Sequence, residues 1–501
     1  MNELELKFRV LPSQRAGLLK ALGNRKLERL PLLARHVDTA DGLLARHRMA
    51  LRLRQEGGHQ VQTLKGIGPR ALERLEHNVE LGAVGPDAAS MTVDPRRHEG
   101  SPVGDRLLAL LEAHGNPALQ EVYVTDVARI RRSVRYRDAL VEWALDEGVV
   151  RAGEATAPIS ELELELKEGD PASLYAMALD WQGRHGLWLD AISKSERARL
   201  LARGQAFAAP VKAQPPRWDK KAAQAMSGGQ MLRTLVSTCL SQILPNASEI
   251  AAGSLEAEHV HQLRVGLRRL RSALGEMAAF AGALDPSWEA PARRVFAALG
   301  AVRDHEVFLD SLAPRLLRAG APVADFADAV SVDKGRQLLG ELVRGGAFQA
   351  SLLQLAAFAH GRDAEVDAHE HAPVGALAHL RDRLTRMQHR VTRDAKHFET
   401  MAFAQQHRVR KRLKRLRYVA AFLCPLYPQR DVAAWLKKVK PAQEALGRHV
   451  DLLTAAHRFA AQASTDPRAW FAAGWLQAQT MDSTRESRKA LERLARAEVF
   501  W

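Results

Sequence analysis

The chain has 501 residues, more than a single hydrophobic core usually serves, so two or more domains are expected. Its two cysteines, Cys239 and Cys424, lie far apart without a CxxC partner, which argues against a disulfide scaffold and a thiolate zinc site and fits a cytoplasmic protein. Charges from the third residue onwards, and the lack of an apolar run of about 18 residues, predict neither an export signal nor a membrane span.

The excess of basic residues is confined to one part of the chain. Residues 1–200 contain 29 Lys and Arg and 29 Asp and Glu, so the whole net charge of +15 belongs to residues 201–501. A domain with so large a positive charge is suited to binding a polyanion. Polyphosphate, nucleic acid and anionic lipid are the candidate ligands on charge alone.

The first 200 residues have the patterning of β-strands. Short alternations of apolar and polar residues, separated by turn residues, predict strands at Glu3–Val10, Ala50–Gln55, His59–Lys65, Leu72–Leu81, Val122–Arg137, Ala139–Asp146 and Ile159–Lys167. Two further stretches, Ser13–Leu22 and Gly104–Ala113, are predicted to be helical. The pattern indicates an antiparallel β domain with some helix.

Several of these strands carry charged residues on one face. Because side chains alternate along a strand, Glu3, Glu5 and Lys7 point to one side and their apolar neighbours to the other. The same alternation groups Glu161, Glu163, Glu165 and Lys167 on one strand, and Arg52 and Arg54 on another. A solvated outer face would explain any one strand. The sorting into mostly acidic and purely basic strands favours a functional interpretation.

This sorting suits a metal ion and a phosphate chain. Carboxylates grouped on strands provide the oxygen ligands that Mg²⁺ or Mn²⁺ prefers. Arg gives bidentate contacts to phosphate, and Lys gives a point charge. The candidate phosphate cradle consists of Arg52, Arg54, Lys65, Arg74 and Lys194. A closed barrel of such strands would form a polar tunnel.

An ordered set of motifs runs through the first 200 residues. It comprises Glu3-Leu-Glu5-Leu-Lys7, Arg52-Leu-Arg54, Lys65, Arg74-Leu-Glu76, Arg129, Asp146, Glu163-Leu-Glu165-Leu-Lys167 and Lys194. In this order and over this length, the motifs resemble the CYTH domain of the triphosphate tunnel metalloenzyme superfamily. The ExExK signature alone would be weak evidence, because an amphipathic strand can produce it by chance.

The resemblance implies an eight-stranded antiparallel β-tunnel that hydrolyses or cyclises a triphosphate with Mg²⁺ or Mn²⁺. The carboxylates implied to bind the metal are Glu3, Glu5, Glu76, Asp146, Glu163 and Glu165. The basic residues implied to act in catalysis are Lys7, Arg52, Arg54, Lys65, Arg74, Arg129 and Lys194. Position 78 departs from the family pattern, because it is Asn where a further Glu is common. Ligation of a second metal there is therefore in question.

A linker separates this region from a helical one. Pro210, Pro215 and Pro216 interrupt both kinds of periodicity, which predicts a linker over residues 204–218. The β domain is then expected over residues 1–203. Residues 219–501 are rich in Ala, Leu and Arg with a 3.6-residue period, which predicts an all-helical domain.

The helical region contains an internal repeat. His261, Arg264, Arg268 and Arg271 recur 146 residues later, with the same spacing, as His407, Arg410, Lys414 and Arg417. A Leu-Gly-x-x-x-Asp motif follows each copy and ends at Asp304 and Asp451. The repeat predicts a pseudo-symmetric pair of helical bundles, over roughly residues 219–350 and 373–501. On each helix the basic residues share one face and leucines occupy the opposite face.

The two basic helices resemble the signature helices of a CHAD domain, the conserved histidine α-helical domain. The resemblance implies two four-helix bundles that face each other across a basic groove for inorganic polyphosphate. The residues implied to bind polyphosphate are His261, Arg264, Arg268, Arg269, Arg271, Arg303, His407, Arg410, Lys411, Lys414, Arg417 and Tyr418. The histidines are expected to bind phosphate rather than a metal, since His259 and His261 cannot converge on one ion from a helix.

The leading hypothesis is an inorganic triphosphatase that is anchored to long-chain polyphosphate, in the cytoplasm and at polyphosphate granules. The same tunnel motifs leave open a nucleotide or thiamine triphosphatase and a class IV adenylate cyclase. A non-catalytic polyphosphate-binding protein is a further alternative. The sequence argues against nucleic acid as the ligand, because it has no helix-turn-helix, zinc-finger or RNP pattern and no aromatic residues interleaved with the basic stripe.

Overall fold

The computed structural model describes residues 2–23, 27–68, 70–83, 92–282, 284–322, 329–361 and 375–501. The side chain of Asp304, which the repeat singled out, lies outside the described part of the chain. The N-terminal part is an antiparallel β-barrel and the C-terminal part is helical, as predicted. No described helix is both long enough and apolar enough to cross a membrane.

Eight strands close into the barrel. They are β1 (Asn2–Arg9), β2 (Glu28–Thr39), β3 (Ala50–Glu56), β4 (His59–Ile67), β5 (Glu73–Ala83), β6 (Leu119–Tyr136), β7 (Ala139–Ala152) and β8 (Ala155–Glu168). The order around the barrel is β5-β4-β3-β2-β6-β7-β8-β1, and β1 closes the ring by pairing with β5. A short strand β9 (Trp188–Leu189) extends the sheet beside β1. In this order β2 lies opposite β1, and β3 lies opposite β8.

Among the described residues, five helices accompany the barrel: α1 (Pro12–Leu22), α2 (Leu43–Arg46), α3 (Pro102–Ala113), α4 (Pro171–His185) and α5 (Lys194–Ala202). The apolar faces of the strands point away from the lumen, because Leu6, Trp143 and Leu164 are fully buried in one core with Leu174 and Tyr175 of α4. The charged faces therefore line the interior of the barrel, which is the reverse of an ordinary solvated sheet.

A close contact between β6 and β7 explains one glycine of the barrel. A Cβ atom on Gly148 would lie 2.1 Å from the carbonyl oxygen of Asp126. We therefore expect Gly148→Ala to lower the free energy of unfolding by about 1–3 kcal/mol, because the backbone must shift to admit the methyl group. Urea denaturation of the full chain measures this difference.

A matched control is available on α4. Gly183 is exposed in the helix, and a Cβ there would meet no atom within 4 Å. Gly183→Ala should raise the free energy of unfolding by about 0.5–1 kcal/mol, because alanine has the higher helix propensity. Equal effects of the two substitutions would contradict the close contact at Gly148.

The described helices of the helical region are α6 (Lys220–Ala225), α7 (Gly228–Ala251), α8 (Ala257–Glu276), α9 (Glu289–Val307), α10 (Ala313–Arg318), α11 (Ala329–Arg344), α12 (Gly346–His360), α13 (Ala376–Ala395), α14 (Phe403–Leu423), α15 (Gln429–Gln462) and α16 (Ala469–Ala495). Helices α7 to α9, α11 and α12 pack as one group, and α13 to α16 pack as a four-helix bundle. A π-helical turn at Phe308–Leu312 joins α9 to α10. Phe308 and Leu316 then pack against Phe459 and Leu476 of the second group.

The two parts of the chain share a hydrophobic core and several hydrogen bonds. One cluster of buried residues extends from the outer face of the barrel through α4 to α7 and α12. The Leu189 N–H donates to Gln349 Oε1 at 2.9 Å, and the Ala191 N–H donates to Ser248 Oγ at 2.9 Å. The Trp218 side chain, at the end of the predicted linker, donates to the carbonyl of Phe422 at 2.6 Å. The segment around β9 is thus bound to the helical region.

Candidate functional site

One wall of the barrel holds a cluster of three carboxylates, two of them buried and the third, Glu163, partly buried. Asp146 of β7 and Glu161 and Glu163 of β8 each place a carboxylate oxygen within 4.8 Å of the others. Lys194 Nζ lies 2.7 Å from Asp146, 2.6 Å from Glu163 and also beside Glu161. Ser193 caps α5 by accepting from the Glu196 N–H, which makes Lys194 the first residue of the helix and directs it into the barrel.

Arg129 completes this cluster from β6. Its guanidinium binds Asp146 in a bidentate manner at 2.6 and 2.7 Å and contacts Glu163 at 2.6 Å. Although burial opposes ionisation, Lys194 and Arg129 hold the pKa of Glu163 well below its usual value. Glu163 is therefore an anion at neutral pH.

A second acidic group lies beside the first. Lys65 of β4 contacts Glu3 of β1 at 2.9 Å and Glu76 of β5 at 2.6 Å. Burial and the neighbouring carboxylates raise the pKa of Glu3 to about 9. Burial, and then the Glu163 charge, raise the pKa of Glu5 to about 7. The wall therefore holds more carboxylates than its cations can balance, and protons make up part of the difference.

These carboxylates fit a hard divalent cation. Mg²⁺ and Mn²⁺ take oxygen ligands, and the described residues offer three carboxylates around one point and three more beside them. A cation bound beside Glu3 and Glu5 would favour their ionised forms, against the burial and the neighbouring carboxylates that raise the pKa of each. A cavity of about 240 Å³ adjoins Glu161 and Lys194, between β8 and α5.

The opposite wall is basic. Arg52 and Arg54 of β3 lie across the lumen from β8, with Arg54 in contact with Glu56 at 3.0 Å. Burial and the charge of Arg52 lower the pKa of Arg54 to about 10, so the Arg54 guanidinium still carries its charge at neutral pH. The lumen thus runs between a wall of carboxylates and a wall of guanidinium donors.

A second basic site lies in the helical region, where α8 and α14 pack against each other. The guanidinium groups of Arg264, Arg268 and Arg271 lie over one ring, that of Phe296 on α9, with guanidinium carbons 5.0–5.4 Å from its centroid. On α14, Arg410 contacts Asp451 at 3.1 Å and Arg417 donates to Gln443 Oε1 at 2.7 Å.

The two basic stripes of these helices face each other. Burial, followed by the charges of Arg410, Arg268 and Arg264, lowers the pKa of Lys414 to about 7. Burial, together with Arg303, Arg268 and Lys414, likewise lowers the pKa of His261. Because residues of one helix alter the ionisation of residues on the other, the two stripes form a single groove of high positive potential.

Comparison with known proteins identifies two domain families in the chain. Residues 1–198 match the CYTH domain family, and residues 234–460 match the CHAD domain family. The chain combines a CYTH domain with a CHAD domain.

Three known proteins illustrate the similarity. The inorganic triphosphatase of Haemophilus influenzae is 28% identical over 210 residues, which are 41% of this chain. The chain spans 56% of the length of that relative. The CHAD domain of Ricinus communis is 26% identical, with a TM-score of 0.48, over 58% of this chain and 99% of its own. A putative adenylyl cyclase of Hippeastrum with a dominant triphosphatase activity is 20% identical, with a TM-score of 0.30, over 41% of this chain and 97% of its own.

Most of the residues predicted for the CYTH tunnel meet in the lumen. The structure brings together Glu3, Glu5, Glu76, Asp146, Glu163, Lys65, Arg129 and Lys194. Lys7 contacts Glu161 at 3.3 Å, and Arg74 pairs with Glu3 in the β1–β5 ladder. Asn78, at the position that departs from the family pattern, donates to Glu76 Oε1 at 2.8 Å. It positions a carboxylate there rather than supplying one.

The three-carboxylate cluster differs from the predicted set of metal ligands at two positions, Glu165 and Glu161. Glu165 binds Lys167 at 2.7 Å and does not belong to the three-carboxylate cluster. Glu161 takes the third place, although sequence reasoning did not assign it a metal. The sequence did contain a sign of this role for Glu161, because residues 161, 163 and 165 alternate along β8 and share one face of the strand.

Arg269 lies apart from the other residues that were predicted for the CHAD groove. Arg269 is only 2% exposed and donates to Gln242 Oε1 at 2.9 Å and to the carbonyl of Gln214 at 2.6 Å. Its guanidinium also lies over the Phe422 ring, 5.1 Å from the centroid. Its donors bind the linker and α7, so it stabilises the fold and does not face the groove. His407, Lys411 and Tyr418 remain predictions as ligand contacts.

Proposed function

We propose that the CYTH tunnel hydrolyses inorganic triphosphate with the help of Mg²⁺ or Mn²⁺, and that the CHAD groove binds inorganic polyphosphate. The proposal of triphosphate hydrolysis depends on one observation: an acidic wall and a basic wall face each other across one closed lumen. Carboxylates of β1, β7 and β8 lie opposite the guanidinium groups of Arg52 and Arg54. A linear polyanion that needs cations along its whole length fits between such walls.

The chain's own residues supply positioning and charge. Arg52 and Arg54 would hold phosphate oxygens from one side, and Arg129 and Lys194 lie where they can bind oxygens next to the carboxylates. Bound by Asp146, Glu161 and Glu163, Mg²⁺ or Mn²⁺ would supply Lewis-acid neutralisation of the phosphate oxygens. Little covalent work is required of the protein, because phosphoryl transfer to water depends chiefly on positioning and charge stabilisation.

The relative from Haemophilus influenzae supports inorganic triphosphate as the substrate, since it is an inorganic triphosphatase. The lumen also supports this choice. Its described walls consist mainly of charged groups. Inorganic triphosphate can contact such groups along its full length, because it carries neither a nucleobase nor a thiazole ring. Nucleotide triphosphatase activity remains the alternative that the first experiment must separate.

The facing stripes on α8 and α14 support polyphosphate as the ligand of the CHAD groove. Basic residues recur at the same spacing on two helices. This arrangement is complementary to a ligand that carries a negative charge on each repeating unit. The groove is separate from the tunnel in the fold, because its residues belong to the helical region alone. The two sites would therefore bind related ligands independently.

The first experiment compares phosphate release from tripolyphosphate, ATP and long-chain polyphosphate, each with Mg²⁺, Mn²⁺ or a chelator. We expect metal-dependent release from tripolyphosphate and much slower release from ATP. Faster release from ATP would assign the tunnel to nucleotides. Binding of polyphosphate without any release would make the protein a binding module.

The groove should also bind polyphosphate in a pH-dependent manner because of Lys414. With a pKa of about 7, Lys414 is mainly neutral above that pH and must take up a proton when a polyanion binds. We expect the affinity to fall as pH rises from 7 to 9, by at most about tenfold per pH unit. Titration calorimetry with long-chain polyphosphate at several pH values measures the slope.

Lys414→Arg should flatten this slope, since an arginine side chain stays charged over the whole range. Lys411→Arg is the matched control, because Lys411 is exposed on the same helix. It should keep the wild-type slope. An unchanged slope in Lys414→Arg would show that another group takes up the proton.

A further inference from the structure

His36 is a buried histidine that points into the tunnel, and its ring makes no hydrogen bond to any described residue. It lies on β2, the strand opposite β1, and pairs with Arg52 of β3 in the ladder. Its side chain is only 3% exposed. Neither ring nitrogen, Nδ1 nor Nε2, has a hydrogen-bond partner among the described residues. Such an arrangement is rare for a buried polar group and calls for an explanation.

Two other buried histidines of this fold, His259 and His449, are bound at both nitrogens. His259 contacts Ser254 Oγ at 2.7 Å and the carbonyl of Ala208 at 2.9 Å. His449 contacts Ser483 Oγ at 2.8 Å and Gln406 Oε1 at 3.0 Å. These two residues have structural roles. The ring nitrogens of His36, in contrast, are available to a bound ligand.

The surroundings of His36 are those of an anion site. Arg52 Nε and Arg54 Nε, on the adjacent strand, are likewise buried without a hydrogen-bond partner among the described residues. Three side chains on two neighbouring strands, each with at least one unpartnered ring or guanidinium nitrogen atom, thus face the same lumen. The ring of Tyr123 stacks on His36 with centroids 4.3 Å apart and an angle of 20° between the planes, which fixes the orientation of the imidazole.

The charge state of His36 follows from its neighbours. Burial, and then the charges of Arg52, Lys194 and Arg54, lower the pKa of His36 well below its usual value. The imidazole is therefore neutral at physiological pH, with one N–H donor and one acceptor. A neutral donor among fixed cations adds a directional hydrogen bond to an anion without adding to the repulsion of the empty site.

We propose that His36 contacts the substrate in the tunnel by donating its imidazole N–H to a non-bridging oxygen of the bound triphosphate. This inference rests on the proposed function of the tunnel, and it adds a residue that the motifs did not include. Arg52 and Arg54 supply the charge at this wall, while His36 and its stack on Tyr123 supply direction. The contact fixes the position of one phosphoryl group of the bound triphosphate along the tunnel.

The test compares two substitutions at this position. His36→Phe keeps a planar ring for Tyr123 but removes the donor, whereas His36→Gln keeps an N–H donor. Binding of tripolyphosphate is measured by titration calorimetry in chelator, where no turnover occurs, and KM and kcat are measured with metal. We expect His36→Phe to weaken binding and raise KM by about tenfold to a hundredfold, the range for a hydrogen bond to a charged group. His36→Gln should stay within about threefold of wild type.

The control is a buried histidine outside the lumen. His98 contacts Gln62 at 3.0 Å and His77 at 2.9 Å on the outer face of β4 and β5. His98→Phe should lower the Tm without changing the dissociation constant for tripolyphosphate. Wild-type affinity and KM in a folded His36→Phe protein would overturn the proposal, as would a wild-type protein that does not bind tripolyphosphate at all.

Two outcomes separate this inference from the function on which it rests. If the wild-type protein binds tripolyphosphate without hydrolysing it, the proposed reaction fails, and the dissociation constants still decide the role of His36. If the wild-type protein hydrolyses tripolyphosphate and His36→Phe behaves like it, only the inference fails. Should His36→Phe not fold, the imidazole resonances of the wild-type protein serve instead. Tripolyphosphate must shift those of His36 more than those of His98.

Discussion

Replacing Asp146 by Asn and Glu163 by Gln in one protein should lower the rate of phosphate release from tripolyphosphate by about a thousandfold or more. These two carboxylates share both Lys194 and Arg129, and with Glu161 they form the cluster of described residues that suits a metal ion. The substitutions keep the side-chain shapes but remove two negative charges. The loss should appear in kcat measured over a range of Mg²⁺ and Mn²⁺ concentrations.

Glu147→Gln is the matched control for this experiment. Glu147 follows Asp146 on β7 but points to the outer face, where it contacts Arg15 at an exposed position. Its loss should leave kcat within about twofold, since surface ion pairs contribute little. If both proteins lost activity alike, the effect would reflect the strand and not the metal site. Wild-type turnover in the double variant would refute the metal role.

Removing four charges from the groove should abolish tight binding of polyphosphate. Arg264, Arg268, Lys414 and Arg417 lie on the two facing helices, and their replacement by Ala should reduce affinity at moderate salt by more than about a hundredfold. The plot of log affinity against log salt should also lose about three units of slope, by analogy with counterion release from single-stranded nucleic acid. Titrations at several salt concentrations measure both quantities.

The control removes the same number of charges elsewhere. Arg293, Arg448, Arg468 and Arg485 are exposed residues of the helical region with ion-pair partners outside the groove. Their replacement by Ala should change affinity only slightly. A similar loss in both proteins would mean that net charge attracts polyphosphate and that the groove has no special role. Triphosphate hydrolysis should be unaffected in both.

The faces of the tunnel strands could be predicted because alternation is a local property. The apolar neighbours of Glu3 and Glu163 alone put both residues on the charged faces of their strands. Strand β2 was missed, because Pro31 interrupts its pattern and proline is uncommon within strands. His36 was missed with it, since a single histidine on an unrecognised strand carries no motif.

The grouping of the carboxylates could not be predicted because it depends on register. β7 and β8 pair Asp146 with Glu161 and pair Glu142 with Glu165. A shift of the register between these strands by a few residues would have brought a different set of carboxylates together. Register arises from long-range packing, so the sequence could indicate the lumen face of β8 but not which of its glutamates meets Asp146.

On the helices, spacing was a better guide than the contiguous motif. The 3, 4, 3 spacing correctly grouped Arg264, Arg268 and Arg271 over one aromatic ring. Arg269 was included only because it is adjacent in the motif. One residue along a helix is a rotation of about 100°, which turned it from the groove into the packing of α8.

The attachment of the β9 segment to the helical region affects how the two activities can be dissected. Leu189 and Ala191 are held by Gln349 and Ser248, and Lys194 enters the tunnel three residues later. Residues 1–203 expressed alone would lose these bonds and expose the apolar side of α4. Reduced turnover in such a fragment would then reflect a displaced lysine as much as a missing polyphosphate anchor. Substitutions within the groove keep the two effects separate, because they leave the shared core intact.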